Sequence, residues 1–117
     1  MYYTTIEQSK KLLELGLSPD SADMLYTWDT DNKTYYPLPI IDDKEHDFPT
    51  GLSCWSLDAL LSVMPKIDGF KPIIDLDINS IRYEGEKRDE SFHSASTLID
   101  ACYEMVVWLL QNNYFNK

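Results

Sequence analysis

A chain of 117 residues with 44% hydrophobic and 13% aromatic side chains is long and apolar enough for one packed core. That excludes disorder and removes any need for metal or disulfide staples. The formal charge of −10 disfavours direct contact with phosphate backbones or anionic membranes.

The longest apolar run, MVVWLL at 105–110, is too short to cross a bilayer. MYYTTIEQSKK at the start has no apolar stretch of the kind that marks a secretory signal. Cys54 and Cys102 are far apart in sequence and form no CxxC pair, so the expected setting is a reducing cytoplasm with both thiols free. A single domain over 1–117 is expected.

In chain order, Thr4-Thr-Ile-Glu7 has the spacing of a capping box and predicts a helix running to about Leu15. Gly16 suits the left-handed position that ends a helix, and Ser18-Pro19 then starts a second short helical turn. LYTW at 25–28, the polar turn DTDNK and TYYPLPI at 34–40 or so predict a hairpin. Its second arm must lie at an edge, because Pro37 and Pro39 cannot donate to a ladder. IDDKEHDFP then reads as a charged loop.

Ser56 is a good N-cap for a short helix closed by Pro65. Trp55 before the cap and Leu60 four residues after it have the spacing of a hydrophobic staple. Ile74, Leu76 and Ile78 alternate with Asp75, Asp77 and Asn79, predicting a strand that turns at Asn79-Ser80 and returns as Ile81-Arg-Tyr83. GEKRDESFHS reads as a polar loop. Thr97 caps a final helix with Asp100 as its partner, and Leu98, Ala101, Cys102, Met105, Val106, Leu109 and Leu110 supply its apolar face. The expected fold is α+β: a small antiparallel sheet of three to four strands packed on the 97–111 helix, with an N-terminal and a short central helix beside it.

The motifs that could carry chemistry are weak. Asp75-x-Asp77-x-Asn79-x₆-Glu86 has the acidic spacing of a calcium loop, but Ser80 stands where such a loop needs glycine, and no flanking helices are visible. His46 among Asp42, Asp43, Glu45 and Asp47 has no second histidine at ligand spacing, and His93 is isolated. Cys54 lies outside the central helix, with Asp47 and Asp58 as its nearest charges in sequence. Those are the wrong sign for a reactive thiolate, so the cysteine reads as structural. Neither GxSxG, Walker A, GxGxxG nor HExxH is present. No catalytic residue, cofactor site or metal site is therefore assigned from the sequence.

Residues 20–47 hold eight acids against Lys33 and Lys44, which is −6 of the −10. Read blandly, the segment is a solubilising face. Its aromatic residues point further. Trp28, Tyr35 and Tyr36, with Asp42, Asp43 and Asp47, form the expected protein-contact set, suited to a basic protein partner, and the equal alternative is that the three rings cover the sheet or pack beneath the loop.

TIEQSKKLLELGLSPDSADM at 5–24, CWSLDALLSVMP at 54–65 and AxYEMVVWLLxN at 101–112 resemble a family of small proteins without an assigned activity. These are encoded by Bacteroides-type gut bacteria and their mobile elements. The resemblance implies a shared α+β domain and a phage or mobile-element origin, and it brings no catalytic residues. The functional expectation is a non-enzymatic accessory or interaction protein. The alternatives are a small enzyme with a site between sheet and helices, and an acidic DNA-mimic inhibitor.

Overall fold

A computed structural model describes residues 2–39 and 51–116. The first helix, α1 (Ile6–Glu14), is followed by a 3₁₀ turn at Pro19–Ser21. Strands β1 (Met24–Asp29), β2 (Thr34–Pro39) and β3 (Leu52–Cys54) come next, and then helix α2 (Leu57–Val63). Strands β4 (Phe70–Asp75), β5 (Ser80–Gly85) and β6 (Asp89–Ser94) lead into α3 (Leu98–Gln111) and a closing 3₁₀ turn at Tyr114–Asn116. The class is α+β, as the composition and patterning predict. Among the described residues no helix is long and apolar enough to cross a membrane.

The single sheet expected from the sequence is instead two antiparallel sheets of three strands, ordered β2-β1-β3 and β4-β5-β6. Two unrecognised strands account for the difference. β3 is only three residues long, too short to carry an alternation signal. β6 lies within GEKRDESFHS, expected to be a polar loop, because its inward positions are Ser91 and His93 and its most apolar residue, Phe92, faces outward. A polar inner face hides the period that marks a strand.

The β4–β5 hairpin is also shifted. β4 begins at Phe70, tolerates Pro72 because it is an edge strand, and ends at Asp75. Leu76 to Asn79 form the turn, with Asn79 at φ +48° and the Asp75 carboxylate accepting from the Asp77 N–H at 3.0 Å. The alternation of Leu76 and Ile78 therefore does not mark a strand face, and both stand in solvent. At the next turn Gly85 donates to the Arg88 carbonyl at 2.9 Å. A Cβ there would come within 2.6 Å of both that oxygen and the Phe70 ring, so only glycine fits.

The capping box of α1 lies one residue later than expected. Thr5 accepts from the Gln8 N–H at 3.1 Å, and the Gln8 side chain accepts from the Thr5 N–H at 2.9 Å. Thr4 is displaced from that role because residues 2–4 run extended along the chain after β3. The Thr4 N–H donates to the Trp55 carbonyl at 2.8 Å, and Tyr3 bridges Ser56. Gly16, at φ +101°, ends the helix as its position requires.

The core lies between α3 and the other elements. Ile99, Ala101, Cys102, Met105, Val106, Val107 and Leu109 of α3 are buried, while Leu98 and Leu110 of the expected face are half-buried. They pack with Ile81 and Tyr83 from β5, Leu12 from α1, and Trp55 and Leu60 at the start of α2. The staple spacing thus places two fully buried side chains, Trp55 and Leu60, around the Ser56 cap, whose hydroxyl accepts from the Ala59 N–H at 3.2 Å. Thr97 caps α3 through the Asp100 N–H at 3.2 Å, while the Asp100 carboxylate accepts from Gln8 at 2.9 Å and ties α3 to α1.

Candidate functional site

The β1–β2 hairpin holds the aromatic residues singled out in the sequence. β1 is the central strand of its sheet and β2 an edge, which accommodates Pro37 and Pro39. Those prolines also leave the free edge short of N–H donors, so it is a poor template for an added strand. Contact through this hairpin must therefore come from side chains.

Trp28 lies directly opposite Tyr35, and residues opposite across a ladder share a face. The two rings meet edge to face, with centroids 4.9 Å apart, although they are 47% and 50% exposed. Tyr36 pairs with Thr27 and so stands on the other face, together with Leu38 opposite Leu25. The three aromatics do not form one patch. The structure brings Trp28 and Tyr35 together and separates Tyr36 from them.

Beside Tyr35 is a dent of about 120 Å³ lined by Ile6, Lys10, Tyr26 and Leu52. Pockets for cofactors run to roughly 300–1,000 Å³, so this one has room for a single side chain. Its floor is fixed, because the Tyr26 hydroxyl donates to the Thr4 carbonyl at 2.6 Å. Burial, with Cys54 close by, pushes the Tyr26 hydroxyl well above its ordinary pKa. It stays a neutral donor.

The acids near the hairpin are partly engaged. Asp29 accepts from the Asp31 N–H at 3.0 Å and from the Asn32 amide at 2.7 Å, organising the turn. Those bonds, chiefly the one from the Asn32 side chain, lower its pKa. Asp23 accepts from both the N–H and the hydroxyl of Ser56, clamping the start of β1 to the cap of α2. Asp42, Asp43 and Asp47 lie outside the described residues, as does the acidic loop around His46.

Residues that could serve an enzyme lie elsewhere. The Ser91 hydroxyl and His93 Nε2 are 2.8 Å apart on the inner face of β6, with the His93 ring against Trp108 of α3. Ser91 is buried, and neither residue lines the cleft of about 540 Å³ bounded by Pro65, Ile67, Phe70, Glu90 and Tyr114. In that cleft both Glu90 oxygens are held, one by the Tyr114 hydroxyl at 2.9 Å and the other by Arg88 at 3.3 Å.

Cys54 is closed off. Burial raises its pKa, against the opposing pull of the hydrogen bond from the Thr4 hydroxyl, and its S–H donates to the Thr4 carbonyl at 3.5 Å. Burial likewise pushes Cys102 up to about 11. Neither thiol is primed as a nucleophile. Among the described residues no group of three or more His, Cys, Asp or Glu side chains is placed to hold a metal ion.

His93 provides a pH probe. Burial lowers its pKa below the ordinary value near 6.5, and the charge of Glu104 offsets this only in part. The unfolded chain therefore takes up the proton first as pH falls. The stabilisation from His93 is whole above pH 6.5 and drains away as pH drops from there through the folded-state pKa. We expect its ring resonances to titrate with a midpoint below 6.5 by NMR, and His93→Asn to flatten the pH slope of the melting temperature on the acid side of that value. A midpoint at or above 6.5 would contradict the burial.

Comparison of the chain with protein-family models, curated proteins and solved structures gives no match, so the reading of function rests on the geometry above.

Proposed function

We propose that the protein is an interaction module that contacts a basic protein partner through the Trp28–Tyr35 face of the β1–β2 hairpin. One observation carries this reading. Two large aromatic rings stand half in solvent and already hold each other at 4.9 Å, on a strand pair whose geometry the ladder fixes. Aromatic residues held in place before binding lose little entropy when a partner covers them, which makes them effective anchors. The acidic balance of residues 20–47 supplies long-range attraction for a cationic surface. An accessory role of this kind also accords with the mobile-element origin that the sequence resemblance suggests.

The DNA-mimic alternative has less support, because Asp23 and Asp29 are bonded to groups of their own chain rather than arrayed as free charges. The test is binding of the purified protein to an array of Lys- and Arg-rich peptides bearing apolar residues. The Trp28→Ala/Tyr35→Ala double variant should lose at least about tenfold in affinity, in keeping with hot-spot truncation. Its melting temperature should stay near that of the parent, because both rings are exposed. Equal binding by parent and double variant would remove the hairpin from the interface.

A further inference from the structure

The dent beside Tyr35 lies where the covered part of a sheet face meets the uncovered part. Tyr26 pairs with Leu52 and Trp28 with Tyr35, so all four side chains stand on one face of the β2-β1-β3 sheet. Ile6 and Lys10, one turn apart on α1, close over the Tyr26–Leu52 end, while the Trp28–Tyr35 end stands half in solvent. The step between the two ends is the dent.

Its walls are held before anything enters. The Tyr26 ring is buried, tied through its hydroxyl to the Thr4 carbonyl and met edge-on by the Tyr3 ring at 6.3 Å. Tyr35 is braced by Trp28. The volume, about 120 Å³, sets the size of a guest. A water takes about 30 Å³, so the space suits about four heavy atoms, and it falls below the roughly 150 Å³ that admits a benzene ring. Of the described residues around it, Lys10 alone is charged, and it is exposed.

We propose, resting on the hairpin interface above, that the partner is anchored by one aliphatic side chain (leucine, isoleucine or methionine) seated in this dent, with its basic residues at flanking positions. Lys10 sets that order. Its stem lines the wall and its charge opposes a lysine or arginine at the anchor position. The acidic balance of residues 20–47 draws the cations to the surface around it. An anchor in a fixed pocket, ringed by groups that exclude water, is how a small interface gains most of its affinity. A second copy of the chain is a poor guest. Its most exposed aliphatic side chains among the described residues, Leu76 and Ile78, are flanked by Asp75 and Asp77, which an acidic surface repels.

Calorimetric titration of the full chain with Lys- and Arg-flanked peptides, differing at one central position, tests the anchor. Leucine, isoleucine or methionine there should bind at least about tenfold tighter than alanine, and phenylalanine or lysine should forfeit that gain. Ile6→Ala enlarges the dent and should move the optimum to phenylalanine. Lys10→Glu should improve binding of the central-lysine peptide by at least about fivefold. Equal binding of the leucine and alanine peptides, both lost in the Trp28→Ala/Tyr35→Ala variant, keeps the hairpin interface and overturns the anchor. An optimum that Ile6→Ala leaves in place overturns the dent as its seat. If that variant does not fold, Lys10→Glu, at an exposed position, decides alone, and no gain for lysine overturns the proposal. No binding of any peptide overturns the anchor and the hairpin interface together.

Discussion

Replacing Trp55 with alanine is expected to lower stability by about 4 kcal/mol, the range for emptying a large aromatic site in a packed core. The ring is fully buried, and its indole N–H donates to the Ser21 hydroxyl at 2.9 Å. Its backbone is committed as well. The carbonyl accepts from the Thr4 N–H at 2.8 Å, and the N–H donates to the Thr4 hydroxyl at 3.1 Å. Truncation leaves a cavity bordered by three separate parts of the chain, which cannot collapse without breaking those bonds. Small domains are stable by roughly 5–15 kcal/mol, so the variant should sit near the edge of folding. Urea titration is the measurement, with the midpoint falling and the slope kept. Trp55→Phe should recover part of the loss, since it refills most of the volume without the N–H. A cost below about 1 kcal/mol for the alanine variant would mean that the site relaxes or is wetter than the structure describes.

Thr4→Val is the second large effect, expected at about 2 kcal/mol, the cost of leaving a buried polar group unpaired. Valine keeps the shape and removes one oxygen. That oxygen accepts from the Trp55 N–H, lies 2.8 Å from the Ser9 hydroxyl and 3.8 Å from the Cys54 sulfur, and is fully buried. Thr4→Ser keeps the oxygen and should cost distinctly less, because only a methyl is lost. Chemical denaturation of the two variants side by side separates hydrogen bonding from packing. A larger cost for Thr4→Ser than for Thr4→Val would show that the methyl, and not the hydroxyl, matters at this position.

Legibility of the sequence followed the kind of signal each element used. Ser56, Trp55 and Leu60 form a local arrangement of cap and staple within a few residues, and the structure places them as their spacing predicts. Thr97 and the apolar stripe of α3 are equally local, although Ile99 and Val107 widen the buried face beyond the expected residues. Thr4 misled because its decisive partner is Trp55, fifty-one residues away, and a non-local bond overrode a good local capping pattern.

The turn at Leu76–Asn79 misled for the opposite reason. Its alternation looked like a strand, but the Asx bond from Asp77 to Asp75 closed a turn there. For the proposed contact set, the place of Trp28 and Tyr35 in a polar hairpin was legible, but whether their rings stood in solvent or covered the sheet was not. Their edge-to-face pairing, and the placing of Tyr36 on the other side, depended on a register that the sequence leaves open.

The two silent thiols have a practical consequence. Cys54 sits in the β2-β1-β3 sheet and Cys102 in α3, both fully buried, with burial the leading cause of each raised pKa. A maleimide or iodoacetamide reagent can reach neither without an opening event, so the rate of alkylation counts openings rather than intrinsic reactivity. Because the two sulfurs lie in different parts of the fold, mass spectrometry of the labelled peptides times their release separately. Matching rates describe a chain that opens all at once, and divergent rates describe one whose N-terminal sheet loosens on its own while α3 stays closed.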